Sequence, residues 1–262
     1  MRRVPLPAAL FDLLERNASA RHAFALPDEA AHYVRTVLRL DEGSPVELFD
    51  GSGRLARATL TTIDASMVIA EVEAPRSSQR GEPPVELILF QAIPKGDRWE
   101  WLLEKATELG VTTLVPLTTR RGVVQLSSER FEKKRPRWEK ILAGAARQCR
   151  RACIPELRAP HSPTEAFQAY PNALHLVAHL SDDLTSVHRA LHAAEHRGDM
   201  PLGDAPRPIG LWVGPEGGFE DAEINTLLQA GARCVTLGPR VLRAETAGVA
   251  LLTLVQNALG EF

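Results

Sequence analysis

The sequence predicts an α/β protein in which a parallel sheet covered by helices follows a smaller, β-rich N-terminal domain. Three observations lead there. From residue 85 onward, apolar runs of strand length alternate with helical periods, the pattern of parallel strands buried between helices. Before residue 75, short runs rich in Val, Ile, Leu and Thr follow one another across turn residues. Between them, residues 75–84 hold three prolines, a glycine and no large apolar side chain, the composition of an exposed connection. The division into domains is drawn as 1–76 and 77–262. A chain of 262 residues is long enough for two such units, and its 44% hydrophobic and 24% charged residues exclude a disordered or fibrous polymer.

In chain order, Ala30, Val34, Val37 and Leu38 recur at helical spacing after Pro27-Asp28 and predict the one clear helix of the N-terminal domain. Strands are predicted over 45–50, 54–63 and 66–73, the first two joined as a hairpin by Asp50-Gly51-Ser52-Gly53. Further strands are expected at 85–93, 111–117, 173–180, 209–213 and 233–237. A helix over 98–109 takes Asp97 as N-cap with Glu100 three residues on, buries Trp99, Leu102, Leu103 and Ala106, and stops at Gly110. Another begins near 137, with Pro136 in its first turn and Trp138, Ile141, Leu142, Ala145 and Cys149 on its apolar side. The last, about 246–259, is apolar nearly all round, so it must be covered on both sides as core, interface or both.

Composition narrows the classes. No apolar run approaches the roughly 20 residues of a membrane span, and Met1 to Pro5 lack the apolar stretch of a signal peptide, so a cytoplasmic location is expected. Cys149, Cys153 and Cys234 are too few for a disulfide scaffold and read as small core residues. His188, His192 and His196 lie at four-residue steps with Glu195 nearby, but no other ligand completes a set, and Arg189, Arg197 and Asp199 point to a solvated face; no metal is expected. The formal charge of −2, from 31 Lys and Arg against 33 Asp and Glu, excludes a uniformly basic nucleic-acid binder. It conceals a polarity: residues 94–158 hold 15 basic against 8 acidic side chains, or +7, and the remainder carries −9. Lys140, Arg147 and Arg151 line up at helical spacing as a basic stripe suited to phosphates.

Two loops concentrate the chemistry. Gly214-Pro215-Glu216-Gly217-Gly218-Phe219 follows an apolar strand directly and precedes a helix opened by Glu220 or Asp221. Its three glycines let main-chain N–H groups approach a ligand at the carboxyl edge of a parallel sheet, although a tight structural turn would need them too. It is neither a P-loop nor a Gly-x-Gly-x-x-Gly fingerprint. One βα unit later, Leu237-Gly238-Pro239-Arg240-Val241-Leu242-Arg243-Ala244-Glu245-Thr246-Ala247 again joins a strand to a helix, so the two loops should lie side by side and form one pocket. Arg240, Arg243 and Glu245 bring charge to it. Glu216 and Glu245 have a second reading as helix caps.

These two motifs resemble the SPOUT methyltransferases, specifically the RsmE family of 16S ribosomal RNA uridine-N3 methyltransferases. Pro94-Lys95-Gly96-Asp97, Lys105 to Val111, Gln148-Cys149-Arg150-Arg151 before Ile154-Pro155, and His32 with Val37-Leu38-Arg39-Leu40 resemble that family in the same order, so the likeness spans both domains. It implies a C-terminal SPOUT-type parallel sheet tied in a deep trefoil knot, which general topology rules would have discarded, and an N-terminal PUA-like β-barrel that helps hold RNA. It further implies S-adenosylmethionine as methyl donor, 16S ribosomal RNA within the small ribosomal subunit as substrate, and a homodimer with its active site at the interface. Ala178, His179, Val213, Gly214, Gly217, Gly218, Leu237, Gly238, Val241 and Leu242 would then surround the donor. Arg243, Glu245 and Glu216 would be the catalytic candidates, with Arg243 stabilising negative charge and the glutamates orienting or accepting a proton. Arg3, Arg35, Arg39, Lys95, Arg120, Lys140, Arg147 and Arg151 would be the RNA contacts. Val213 and Val241 stand where isoleucine is usual, and Thr118-Thr119-Arg120-Arg121 replaces a more typical Ser-Glu-Arg-Ser, which leaves the role of Arg121 open. The competing readings are a related SPOUT enzyme with another RNA target or ribose 2′-O specificity, and a non-catalytic ribosome-assembly factor.

Overall fold

The computed structural model describes residues 1–16, 21–179, 185–195 and 207–262. The chain forms two compact units, residues 1–82 with 146–154, and residues 83–145 with 155–262.

The first unit runs β1 (Arg2–Pro5), α1 (Ala8–Arg16), β2 (His22–Ala25), α2 (Asp28–His32), β3 (Pro45–Phe49), β4 (Arg54–Ile63), β5 (Val68–Val72) and β6 (Arg76–Ser77). Its sheet has the order β1-β3-β4-β5-β2, with β6 beside β4. β1 and β3 are parallel and the remaining pairs antiparallel. Alternate residues of β5 are buried, and they join Val4, Phe11, Leu14, Val34, Val46 and Leu48 in one core. The hairpin turn closes on Asp50, whose carboxylate accepts from Ser52 N at 2.8 Å and from Arg54 Nε at 2.6 Å; Gly51 and Gly53 take the left-handed backbone it requires.

Two expectations for this unit are corrected. It has two helices rather than one: α1 has nine residues, and its buried stripe is only Phe11 and Leu14, too short for its period to stand out. The second helix leaves the α period, continuing from α2 as a π-helical turn over Tyr33–Leu38, so Val34 is buried while Val37 is 59% exposed. Residues 146–154 pack here through Arg151, whose guanidinium meets Glu82 at 2.7 Å, and through the Gly53 and Ile154 amides, which donate to Ala152 and Gly51 carbonyls.

The second unit runs β7 (Leu87–Ala92), α3 (Arg98–Glu108), β8 (Thr113–Leu117), α4 (Ser128–Cys149, whose last residues belong to the first unit), β9 (Glu156–Leu157), α5 (Pro163–Ala169), β10 (Leu174–Ala178), α6 (Val187–Glu195), β11 (Ile209–Val213), α7 (Asp221–Gln229), β12 (Arg233–Val235) and α8 (Ala244–Ala258). Its sheet is parallel, in the order β12-β10-β11-β7-β8-β9. β7, β8 and β11 are buried at every position, which is why they read as largely apolar runs. Successive residues of β7 serve opposite faces: Ile88, Phe90 and Ala92 pack with Ala166, Ile224 and Leu227 of α5 and α7, while Gln91 reaches Ala244 and Gly248 of α8.

At the sheet's centre, Trp212 Nε1 donates to His175 Nδ1 at 2.9 Å, which makes His175 Nε2 the protonated nitrogen donating to the Tyr170 carbonyl at 3.0 Å. Burial holds the imidazole neutral, its pKa pushed down to about 4. Gly210 lies beneath this pair; a Cβ there would meet His175 Nδ1 at 2.6 Å and Phe90 Cε2 at 2.9 Å.

Two helix starts differ from expectation. Asp97 takes the N-cap position of α3 but accepts no cap hydrogen bond, and Glu100 instead accepts from Arg137 at 2.7 Å. α4 begins at Ser128, with Pro136 in its interior. Its first turns hold because Phe131 is fully buried and packs 6.0 Å from Trp138, and Lys133 and Arg135 bridge to Glu129 and Glu139 one turn away; tertiary packing outweighs the proline. The three cysteines are free and half-buried. Among the described residues no helix is long and apolar enough to cross a membrane.

Candidate active site

The site grows from the carboxyl ends of β10, β11 and β12, where ligands of parallel sheets bind. After β11 the chain turns sharply, and the Gly218 N–H donates to the Pro215 carbonyl at 2.8 Å with Gly218 at φ +69°. Gly214 leaves little room for a side chain: a Cβ would meet the Phe219 main-chain nitrogen and ring at 3.1 Å, so the turn would have to give by a few tenths of an ångström. Phe219, 2% exposed, anchors the loop in the core. Glu220 then caps α7 in a capping box with Glu223. After β12, Gly238 takes φ +101° with its N–H donating to Thr236 Oγ1 at 3.0 Å, and Arg243 stands in extended backbone as the N-cap of α8.

The two loops and the end of β10 enclose a cavity of about 360 Å³, within the range of small-molecule sites. All ten residues expected around a donor line it: Ala178 and His179 from the end of β10, Val213, Gly214, Gly217 and Gly218 from the first loop, and Leu237, Gly238, Val241 and Leu242 from the second. Glu216 lines it too. Arg121, Asp221 and Arg240 bring further charge, and Arg121, whose role the sequence left open, donates Nη1 to the carbonyls of Gly217 at 3.2 Å and Phe219 at 3.3 Å. Sequence offered no local signal for Arg121, because the partner loop lies almost a hundred residues away.

Arg243 and Glu245 face a second cleft, of about 900 Å³, together with Lys95, Gly96, Asp97, Arg98, Trp101 and Thr246. The first turn of α8 separates the two, with Ala244 lining the cavity and Glu245 the cleft. Glu245 is 7% exposed; Oε1 lies 3.5 Å from Arg98 Nε, and Oε2 is buried without a hydrogen-bond partner among the described residues. The capping reading fails for both glutamates. α7 is capped by Glu220, leaving Glu216 exposed at the cavity, and α8 starts at Arg243 with no side-chain cap bond.

The predicted RNA contacts divide by burial. Arg3 and Arg151 are corrected. Arg3 is 5% exposed and pairs with Glu47 at 2.7 Å, and Arg151 is 2% exposed against Glu82, so both charges are spent in the interior of the first unit. The stripe ends before Arg151 because α4 stops at Cys149 and Arg150 turns the chain at φ +66°. Arg35 Nη1 donates to the Asp64 and Ala65 carbonyls, and Arg147 lies over the Tyr33 ring, 4.7 Å from its centre. Arg39, Lys95, Arg120 and Lys140 are exposed. His188 and His192 stack at 6.2 Å, and His196 lies outside the described residues. Among the described residues no group of three or more His, Cys, Asp or Glu could hold a metal ion.

Comparison with known proteins meets this geometry. An RNA methyltransferase domain matches residues 81–256, and an RNA methyltransferase PUA domain matches residues 26–73. A parallel-sheet methyltransferase domain with two glycine-bearing loops at its carboxyl edge, beside a PUA domain, defines an RNA methyltransferase. Ribosomal RNA small subunit methyltransferase E of Mycobacterium bovis is 34% identical over 87% of this chain and 83% of its own, and that of Bacillus subtilis is 28% identical over 93% of both. The Neisseria gonorrhoeae methyltransferase E, solved with S-adenosyl methionine bound, superposes with a TM-score of 0.77 at 31% identity over 98% of this chain and 97% of that one. The chain belongs to the ribosomal RNA small subunit methyltransferase E family.

Proposed function

We propose that this protein transfers a methyl group from S-adenosylmethionine to N3 of one uridine in 16S ribosomal RNA of the small subunit. The observation that carries the reading is the cavity in which two sequence-distant glycine loops converge. Its chemistry suits the donor. Val213, Leu237, Leu242 and Phe219 offer apolar walls to an adenine, the glycine loops offer main-chain groups, and Glu216 and Asp221 offer carboxylates to a ligand bearing a sulfonium and an ammonium. Bound there, the donor supplies an electrophilic methyl group.

The protein's own task is alignment and proton removal. Displacement at the methyl carbon needs the uracil nitrogen in line, and its lone pair is free only after N3–H is lost. Arg243 stabilises the negative charge that results on the uracil or its phosphate. Glu216, at the cavity, and Glu245, facing the neighbouring cleft, are the candidates for orienting the uracil or accepting its proton. Arg39, Lys95, Arg120, Lys140 and Arg147 hold the RNA backbone. Residues 1–76 serve as the PUA-like RNA-holding domain and 77–262 as the catalytic one. The trefoil knot and a cytoplasmic location belong to the same reading. So does a homodimer, supported by the outer face of α8, where Leu254 is 42% exposed beside half-buried Val249 and Ala250, and by Trp101, 45% exposed. Incubation with labelled donor and small subunits lacking the modification, followed by nucleoside mass analysis, should yield N3-methyluridine at one site; a 2′-O-methyl product or no product overturns the proposal.

A further inference from the structure

Among the described residues, the glycine loop is hydrogen-bonded to chain outside its own βα unit through the side chain of Arg121. Its internal bond, Gly218 N–H to the Pro215 carbonyl, leaves the carbonyls of Gly217 and Phe219 directed outward, and Arg121 Nη1 donates to both, at 3.2 and 3.3 Å. The arm that carries Arg121 is itself fixed. Gln125 Nε2 donates to the Thr119 and Gly122 carbonyls at 2.8 and 2.9 Å, closing residues 119–125 into a rigid bend. Glu223 clamps the arm to α7: its Oε1 accepts from the Arg120 main-chain N–H at 3.0 Å while its Oε2 accepts from the Glu220 N–H at 2.8 Å. The carboxylate that caps α7 therefore also sets where Arg121 stands, and Arg121 sets the peptide planes of residues 217–219. Those planes decide where the loop's remaining main-chain groups point into the cavity.

From this geometry we infer that Arg121 is a positioning residue for the donor, acting through the glycine loop, and that the bend of residues 119–125 supports the donor site while the exposed side chain of Arg120 stays with the RNA surface. A glycine-rich loop has more backbone freedom to lose on binding than any other, so a tether that fixes it beforehand raises affinity without touching the reacting atoms. Two adjacent arginines thereby divide their work. Arg120 lends its amide to the clamp and leaves its side chain exposed, while Arg121 turns toward the loop. The inference rests on the cavity being the donor site.

The test is calorimetric titration of S-adenosylmethionine into the full-length protein, its Arg121→Gln and Arg121→Lys variants, with steady-state methylation of small subunits beside it. Arg121→Gln should raise the donor Kd and donor KM roughly tenfold, with kcat at saturating donor and the KM for subunits within twofold. Arg121→Lys, which keeps a charged donor on a flexible stem, should recover part of the loss. Donor Kd within twofold of the parent in both variants overturns the inference, and so does a fall in kcat with donor Kd unchanged. Should the parent itself bind no donor, the proposed function fails instead. The side chain is exposed, so folding of either variant is expected to match the parent by circular dichroism.

Discussion

The most exacting test of how the fold supports the site is acid titration of His175. The ring sits on β10, three residues before Ala178 at the cavity wall, and is 3% exposed. One nitrogen accepts from Trp212 on β11 and the other donates to the Tyr170 carbonyl, so the neutral form satisfies every polar atom involved. A second proton would land on Nδ1 and convert that acceptor into a donor facing the Trp212 N–H. Burial comes first among the causes that hold the pKa down to about 4, from an ordinary 6.5; the charge of Arg207 acts the same way, and the bond to Tyr170 opposes both. The unfolded chain therefore takes up a proton near pH 6.5 that the folded chain refuses until about pH 4. His175 stabilises fully above about pH 7, and its contribution falls as the pH drops through 6.5 toward 4.

The size follows from the two pKa values: about 2 kcal/mol is lost between pH 7.5 and 5.0, approaching about 3 kcal/mol near pH 4. All four tryptophans, Trp99, Trp101, Trp138 and Trp212, lie in the second unit, so tryptophan fluorescence during urea unfolding follows that unit alone. His175→Gln keeps a side-chain acceptor and removes the titration. The parent should lose about 2 kcal/mol more than the variant over that interval. If the two lose the same amount, His175 is not the buried neutral group described here and the reasoning fails.

Three further outcomes are expected. Gly214→Ala forces a methyl group to 3.1 Å from the Phe219 main-chain nitrogen, so donor Kd measured by calorimetry should rise about tenfold, about 1.4 kcal/mol; a change under twofold contradicts the fit. Arg243→Ala should retain donor binding and the folded state while methylation of small subunits falls by roughly a hundredfold, and normal methylation removes Arg243 from the reaction. Arg151→Ala leaves Glu82 buried without its cation and should cost about 3–5 kcal/mol in the first unit, read by far-ultraviolet circular dichroism in urea; a loss below about 1 kcal/mol means that Glu82 is solvated after all.

What the sequence made legible was local. The two glycine loops were readable as candidate binding loops because they follow strands that announce themselves as largely apolar runs, whereas the ten individual residues that line the cavity were named only through the resemblance to the family. Five of the second unit's strands were readable from such runs, whereas β9, two residues long, was not. In the first unit β1 and β2 were not, because each has four residues and β1 finds its parallel partner more than forty residues away. The start of α4 was hidden by Pro136, since the packing of Phe131 that overrides the proline is a tertiary fact. Arg121 was invisible as a donor-site residue for a related reason: it acts on main-chain carbonyls, which carry no mark in the sequence.

Charge is where counting residues misled most, and burial rather than pairing is the correction it needs. The excess of +7 over residues 94–158 includes Arg151, which the interior of the first unit consumes. It also includes Lys105, Lys133, Arg135, Arg137 and Arg158, each bridged to a glutamate on the surface. These two groups differ toward a polyanion. An exposed pair contributes little in water and gives way readily when a phosphate with condensed counterions approaches, so its cation still counts. A buried pair cannot exchange partners without exposing a carboxylate that has no replacement, so its cation does not. Lys95 and Lys140, which have no ion pair among the described residues, and Arg147 on the Tyr33 ring need displace nothing at all. The electrostatic surface offered to RNA is therefore smaller than the formal excess by its buried arginine alone, and the helical register that seemed to add Arg151 to a stripe was a register the chain had already left at Arg150.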